Sequence, residues 1–186
     1  MDTSRIEPQE PPFSDHVKST LDRLMPPGVP PLVLFTTLAR SERAFSRFMA
    51  AGLLDKGPVG LRDREIMICR TCARCGSEYE WGVHIAFFAG RAGFSEAQIT
   101  ATVEPGVSSS WSQRDQLIVR LADELHDTST ISDTLWAELR PEFEAEQILE
   151  LILLAGFYHT VSFLTNGLKL PLERHAARFP QVAREA

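Results

Sequence analysis

The stretch Ile148–Leu168, ILELILLAGFYHTVSFLTNGL, constrains this chain more than any other feature. It is 21 residues long and almost wholly apolar. About 20 such residues are enough for a helix to cross a bilayer. Glu150, His159 and Asn166 interrupt it, however, and ionisable side chains are costly in hydrocarbon. It therefore reads as a buried helix of a soluble core or subunit interface, with no membrane partner. A helix that is apolar nearly all round must be wrapped by other elements.

Those other elements read as helices too. Asp15–Leu24 suits a short helix, and MPPGVPP then enforces an extended link. From Pro31 onward, Leu32, Phe35, Leu38, Phe45, Phe48 and Met49 recur at three- and four-residue spacing, with Ser41 placed to cap a second segment. LRDREIMICRTCARCG is helical up to Gly76. Ser77 opens an S-x-x-E capping box that predicts a helix running to about Ala92. Ser95–Gln98 repeats the pattern, Ser112 and Ser132 or Asp133 are further caps, and the last helix spans about Glu144 to Leu168. No segment alternates with period two. The fold class is all-α, a compact domain of seven to nine helices over residues 15–186. A Pro/Glu-rich, flexible arm forms residues 1–14. RDREI and RDQLI, 52 residues apart, hint at a repeated helical unit.

Charge and cysteine content narrow the function classes. Lys and Arg total 19 against 25 Asp and Glu, a net charge of 19 − 25 = −6 with no basic block, so no nucleic-acid partner is expected. Three cysteines are too few for a disulfide scaffold. The opening MDTSRIEPQEPPFSDH lacks the basic start and apolar run of a secretion signal. A cytoplasmic location follows as the expectation.

The chemistry-bearing residues concentrate between Glu65 and His84. All three cysteines lie there as C-x-x-C-x-x-C. An iron–sulfur motif would continue with Cys and Pro, but Tyr79 and Glu80 occupy those positions. Zinc would need a fourth ligand, with only an awkwardly placed His84 on offer. No metal or cofactor is therefore expected. Cys72 and Cys75 have the spacing of a redox pair, yet they sit at a helix end, where the macrodipole does not favour a thiolate. As small hydrophobes on a packed stripe they need no other role. Glu80 and His84 are four apart and share a helix face, so the carboxylate can orient the imidazole and raise its pKa. Glu65 on the preceding helix could complete a Glu–Glu–His cluster. Against this, Glu80 stands where a capping box would use it for the Ser77 amide. Tyr158 and His159 could line a pocket but read first as packed residues with one hydrogen bond, Asn166 as a cap or interhelical bond, and His126 as exposed near a helix end.

RDREIMICRTCARCGSEYEWGVHIAFFAGRAGFSEAQI resembles the core of the carboxymuconolactone decarboxylase family, which includes the alkyl hydroperoxidase D-like proteins. The resemblance extends more loosely over residues 25–170. It implies an all-helical fold assembled as dimers, trimers or hexamers. The peroxidase branch carries C-x-x-C-x-x-x-H with a glutamate upstream. Aligned on His84, its cysteine positions fall on Ser77 and Glu80, and its glutamate on Glu65. Cys72 and Cys75 are thus five residues out of register. The decarboxylase branch is similar in having E-x-x-x-H here. The resemblance therefore implies a cofactor-free acid–base enzyme of lyase or isomerase type, acting on a small lactone or organic acid through Glu65, Glu80 and His84. Two alternatives stand beside it: a thiol peroxidase using Cys72 and Cys75, and a non-catalytic oligomer that binds a small ligand, with Glu80 engaged only in capping.

Overall fold

A computed structural model describes residues 4–180. Among these it contains nine α-helices, one π-helical turn and no strand. The helices are α1 (Asp15–Leu24), α2 (Val33–Leu38), α3 (Glu42–Met49), α4 (Leu61–Arg74), α5 (Glu78–His84), α6 (Glu96–Ala101), α7 (Gln113–Thr128), α8 (Asp133–Leu139) and α9 (Ala145–Gly167). The π-turn, Ile85–Ala89, continues directly from α5. Six of the nine helices start at a local side-chain cap. Ser14, Ser41, Ser95, Ser112 and Ser132 all accept an amide hydrogen bond as N-caps. Glu144 and Gln147 form a capping box that starts α9. Gly76, at φ +63°, turns the chain after α4, a backbone conformation that costs glycine nothing.

The centre of the molecule is α4. Eight consecutive residues, Glu65 to Cys72, are buried, so this helix is covered on every side. It packs against α5, α7 and α9. Ile66, Met67 and Ile68 meet Ile118, Leu121 and Ala122 of α7 and Leu151, Leu154 and Val161 of α9 in one core. The long apolar helix thus has its covered face here, through Ile148, Leu151, Leu154, Tyr158 and Val161. It remains long and apolar enough to span a membrane by composition alone. Its outer face leaves Leu149, Leu153 and Phe163 more than half exposed.

The repeated Arg-Asp pair has a structural meaning. Arg62 of α4 binds Asp115 of α7 at 2.8 Å, and Arg114 of α7 binds Asp63 of α4 at 2.6 Å. Each arginine therefore crosses to the aspartate of the other copy. Further along, Arg70 meets Asp123 and Arg74 meets Asp127. The constant 53-residue offset of Arg62–Asp115, Arg70–Asp123 and Arg74–Asp127 shows that α4 and α7 run parallel. Arg70 is 1 % exposed, and its guanidinium also donates to the carbonyls of Thr102, Glu104 and Gly106.

Two chain ends lie over this frame. Arg5 donates through its backbone amide to the Leu168 carbonyl, and Gln9 to that of Thr36. Beyond α9, the Ala177 amide bonds the Gly82 carbonyl at 3.0 Å, and Phe179 packs on Trp81 with ring centroids 5.0 Å apart. A Cβ on residue 82 would stand 2.2 Å from the Ala177 carbonyl oxygen, so only glycine admits this segment. Glu173 accepts from the Tyr79 hydroxyl and from the Val33 amide, tying the same segment to α5 and α2.

Candidate functional site

The capping box expected at Ser77 does not form. The Ser77 side chain caps nothing and instead pairs with the Thr165 hydroxyl of α9 at 2.9 Å. The reason is tertiary: Ser77 is fully buried against α9, where its hydroxyl meets a better-placed partner. The Ser77 amide, which Glu80 would accept from in a capping box, donates instead to the Cys72 carbonyl at 2.8 Å, so Glu80 has no capping role. Its Oε1 lies 3.4 Å from His84 Nε2, one helical turn away. The opposite ring nitrogen, Nδ1, lies 2.7 Å from Glu65 Oε2 on α4. Glu65, Glu80 and His84 are thus brought into one linear arrangement, a carboxylate on each nitrogen of the imidazole. All three are buried. Arg64 Nε stands 3.4 Å from the other oxygen of Glu65.

The helix expected to run from Ser77 to about Ala92 changes form at His84. Residues 85–89 take the wider π-turn, and the Phe94 amide reaches the Ala89 carbonyl. Such turns concentrate at functional sites. Here the turn sets the Phe88 ring against His84, 5.2 Å between centroids and 29° between planes. Tyr158 of α9 meets the same imidazole edge-on at 5.1 Å. These two rings fix the imidazole in its plane.

Burial exerts the largest single influence on His84 and pulls its pKa down. The hydrogen bonds and charges of Glu65 and Glu80 together outweigh it and raise the pKa from 6.5 to about 9. The ring is therefore an imidazolium at neutral pH, donating from both nitrogens. Because its folded pKa is raised, the stability this group contributes is fully present below about pH 6.5 and is lost as pH rises through about 9. The expected result is a melting temperature that falls between pH 7 and 9.5 more steeply for the wild type than for His84→Gln. Parallel profiles would show that His84 does not carry this charge.

Glu80 Oε2 is buried and has no hydrogen-bond partner within the protein. Such orphaned oxygens are rare and call for an explanation. Glu80 and Tyr158 line a cavity of about 490 Å³, bounded also by Phe35, Phe48, Leu53 and Phe157. Phe48 and Phe157 of this lining pack against each other, tilted at 47° with ring centroids 4.9 Å apart. The loop over the cavity is held by Arg64, which donates to the Leu54 carbonyl. Among the described residues, the ionisable ones of the lining are Asp55, Glu80 and Tyr158, with no Lys or Arg. Burial, and next the Glu80 charge, pushes the Tyr158 phenol well above its ordinary value, so it stays a hydrogen-bond donor.

Cys72 and Cys75 sit at the far end of α4 in different surroundings. Cys72 is fully buried, while Cys75 is half-buried and 3.9 Å from His126 Nδ1. Burial, followed by the neighbouring Glu80 carboxylate, raises the Cys72 thiol well above its usual range. Cys69 is likewise raised by burial and by Glu65 and Glu80. Sequence reasoning did not group Cys75, His126 and His159, which three different helices bring together. It offered Tyr158 a pocket-lining role only as the lesser reading, and the structure puts Tyr158 in the cavity wall. The only sequence signal for that residue was a polar tip within an apolar helix.

No protein-family model and no curated protein matches the sequence. Solved structures do match. An uncharacterized peroxidase-related protein from Silicibacter superposes with a TM-score of 0.80 over 97 % of both chains at 13 % identity. An alkylhydroperoxidase AhpD core protein from Ralstonia eutropha gives 0.79 over 94 % of both chains at 16 % identity. A protein of unknown function from Agrobacterium tumefaciens gives 0.63 over 72 % of this chain and 93 % of its own, at 18 % identity. The chain therefore has the alkyl hydroperoxidase D-like fold, the one its sequence resemblance implies.

Proposed function

We propose that the protein is a cofactor-free proton-transfer enzyme of isomerase or lyase type, acting on a small, neutral carbonyl compound or lactone. One observation carries this reading: Glu80 lines a largely apolar cavity with one carboxylate oxygen against the His84 imidazolium and the other, Oε2, buried without a partner. In the reaction, Glu80 Oε2 takes a proton from the carbon next to the substrate carbonyl. The electron pair moves onto the carbonyl oxygen, and the Tyr158 hydroxyl donates to the developing oxyanion. Where the substrate carries a β,γ carbon–carbon double bond, returning the proton to the γ-carbon moves that bond into conjugation with the carbonyl and completes an isomerisation with no co-reactant. Glu65 balances the His84 charge and holds the ring. Among the described residues the lining offers no Lys or Arg to pair with a substrate carboxylate, which favours a neutral lactone over an organic acid. A homo-oligomer in the cytoplasm remains part of the proposal, with the exposed apolar face of α9 available for subunit contact.

The peroxidase alternative has less support in the geometry, although two of the solved neighbours are named peroxidase-related. The thiolate is the peroxidatic species, and burial beside carboxylates disfavours it at Cys72. The capping-only role assigned to Glu80 by the non-catalytic reading is not what the structure shows, since Ser77 pairs elsewhere.

The test is solvent exchange. Neutral cyclic ketones and lactones are incubated with the protein in deuterium oxide, and the α-proton signal is followed by NMR. Catalysed exchange of at least one compound is the expected result. Absence of exchange across the panel, with hydroperoxide consumption that disappears in Cys72→Ser, would overturn the proposal in favour of the thiol chemistry.

A further inference from the structure

A second constellation lies at the other end of α4, ten residues or about 15 Å along the helix from Glu65. Cys75 caps the C-terminus of α4, His126 sits in the last turn of α7, and His159 lies midway along α9. Cys75 Sγ and one nitrogen of each histidine lie within 4.8 Å of one another. Sγ is 3.9 Å from His126 Nδ1, and that nitrogen is 3.0 Å from His159 Nε2.

We propose that Cys75, His126 and His159 form a binding site for a single zinc-class divalent ion. Three arguments support it. The first is spacing: Zn–S of about 2.3 Å and Zn–N of about 2.0–2.1 Å in a tetrahedron place the donors about 3.3–3.7 Å apart. The observed separations bracket that range, so small side-chain rotations suffice. The second is the outer support. His159 Nδ1 lies 2.9 Å from the Ala155 carbonyl and donates to it, which leaves the Nε2 lone pair facing the cluster. Metal-binding histidines are held by this kind of bond. Asn166 in turn donates to the Cys75 carbonyl at 2.9 Å and anchors the cysteine. The third is the donor set. One thiolate and two imidazoles select zinc and its neighbours over magnesium or calcium. All three side chains are half-buried.

A cavity of about 410 Å³, also lined by Arg74, Ser162 and Phe163, opens onto these donors. Three protein ligands therefore leave a fourth position reachable by water or a small donor. Binding exchanges one proton for the ion: the Cys75 thiol gives up its proton to solvent as the Zn–S bond forms. The proton that His126 shares with His159 moves to Nε2 of His126, so Nδ1 can bind.

The experiment uses the full chain, reduced and stripped of metal, titrated with Zn²⁺ in competition with a chromophoric chelator. About one equivalent is expected to bind, with affinity reduced about 10–100-fold or more in Cys75→Ser and in His159→Gln. Co²⁺ added to the wild type alone should give a thiolate-to-cobalt charge-transfer band, which reports the Cys75 bond without relying on any variant. Lack of stoichiometric zinc uptake, or uptake with no such band and unchanged affinity in both variants, would overturn the site. Because the cluster shares no residue with the cavity that Glu80 lines, proton exchange by Glu80 and zinc uptake are read out separately.

Discussion

Glu80→Gln is expected to lower the rate of α-proton exchange by about 10²–10⁴, the usual contribution of a positioned general base. The substitution keeps the shape of the side chain and its reach to His84, but glutamine cannot take a proton from carbon. A loss in kcat with KM little changed is therefore the expected pattern, because the residue acts in the transition state rather than in ground-state binding. Helical circular dichroism should be unchanged. His84→Gln should also lose activity, through a different route: Glu80 would lose the cation that holds its inner oxygen. Tyr158→Phe removes only the oxyanion donor while preserving the ring that meets His84 edge-on. If Glu80→Gln retains wild-type exchange, the unpartnered oxygen is not the base and the proposed mechanism fails.

Much of this arrangement was legible in the sequence, and its limits have physical causes. Helical periodicity and serine caps located the helices because both are short-range, acting within one or two turns. Glu80 and His84 share a face by spacing alone, which the sequence states directly. Glu65 was readable only as a candidate, because its meeting with His84 depends on how α4 packs on α5. The Ser77 capping box was misread for the same reason. Its pattern was present, but Thr165, 88 residues away, competes for the hydroxyl. The π-turn after His84 left no local signature either, since the IAFFA segment is as compatible with α-helix. The Cys75–His126–His159 cluster lay beyond reach altogether. Its members are separated by 51 and 33 residues and converge only because α7 and α9 both pack on α4.

The echo of RDREI in RDQLI shows the opposite case, a faint sequence signal with a large structural counterpart, and it leads to the strongest stability prediction. Arg70→Met is expected to destabilise the fold by about 3–5 kcal/mol, the cost of breaking a buried ion pair by removing one partner. Methionine restores apolar volume, so packing loss alone would cost far less. What is lost is the set of five donated bonds: two to Asp123, and one each to the carbonyls of Thr102, Glu104 and Gly106. Asp123, with only 20 % of its side chain exposed, then has Arg74 as its remaining cation, at 3.6 Å. The three carbonyls belong to the loop between α6 and α7, so the substitution frees that loop as well as the helix pair. Urea unfolding would show a lowered midpoint at an unchanged slope. Lys18→Met breaks an ion pair whose two side chains are 66 % and 64 % exposed, and it should leave the midpoint where it was. A shift of less than about 1 kcal/mol for Arg70→Met would mean that solvent replaces these bonds, and that the parallel α4–α7 pair is held by its apolar contacts instead.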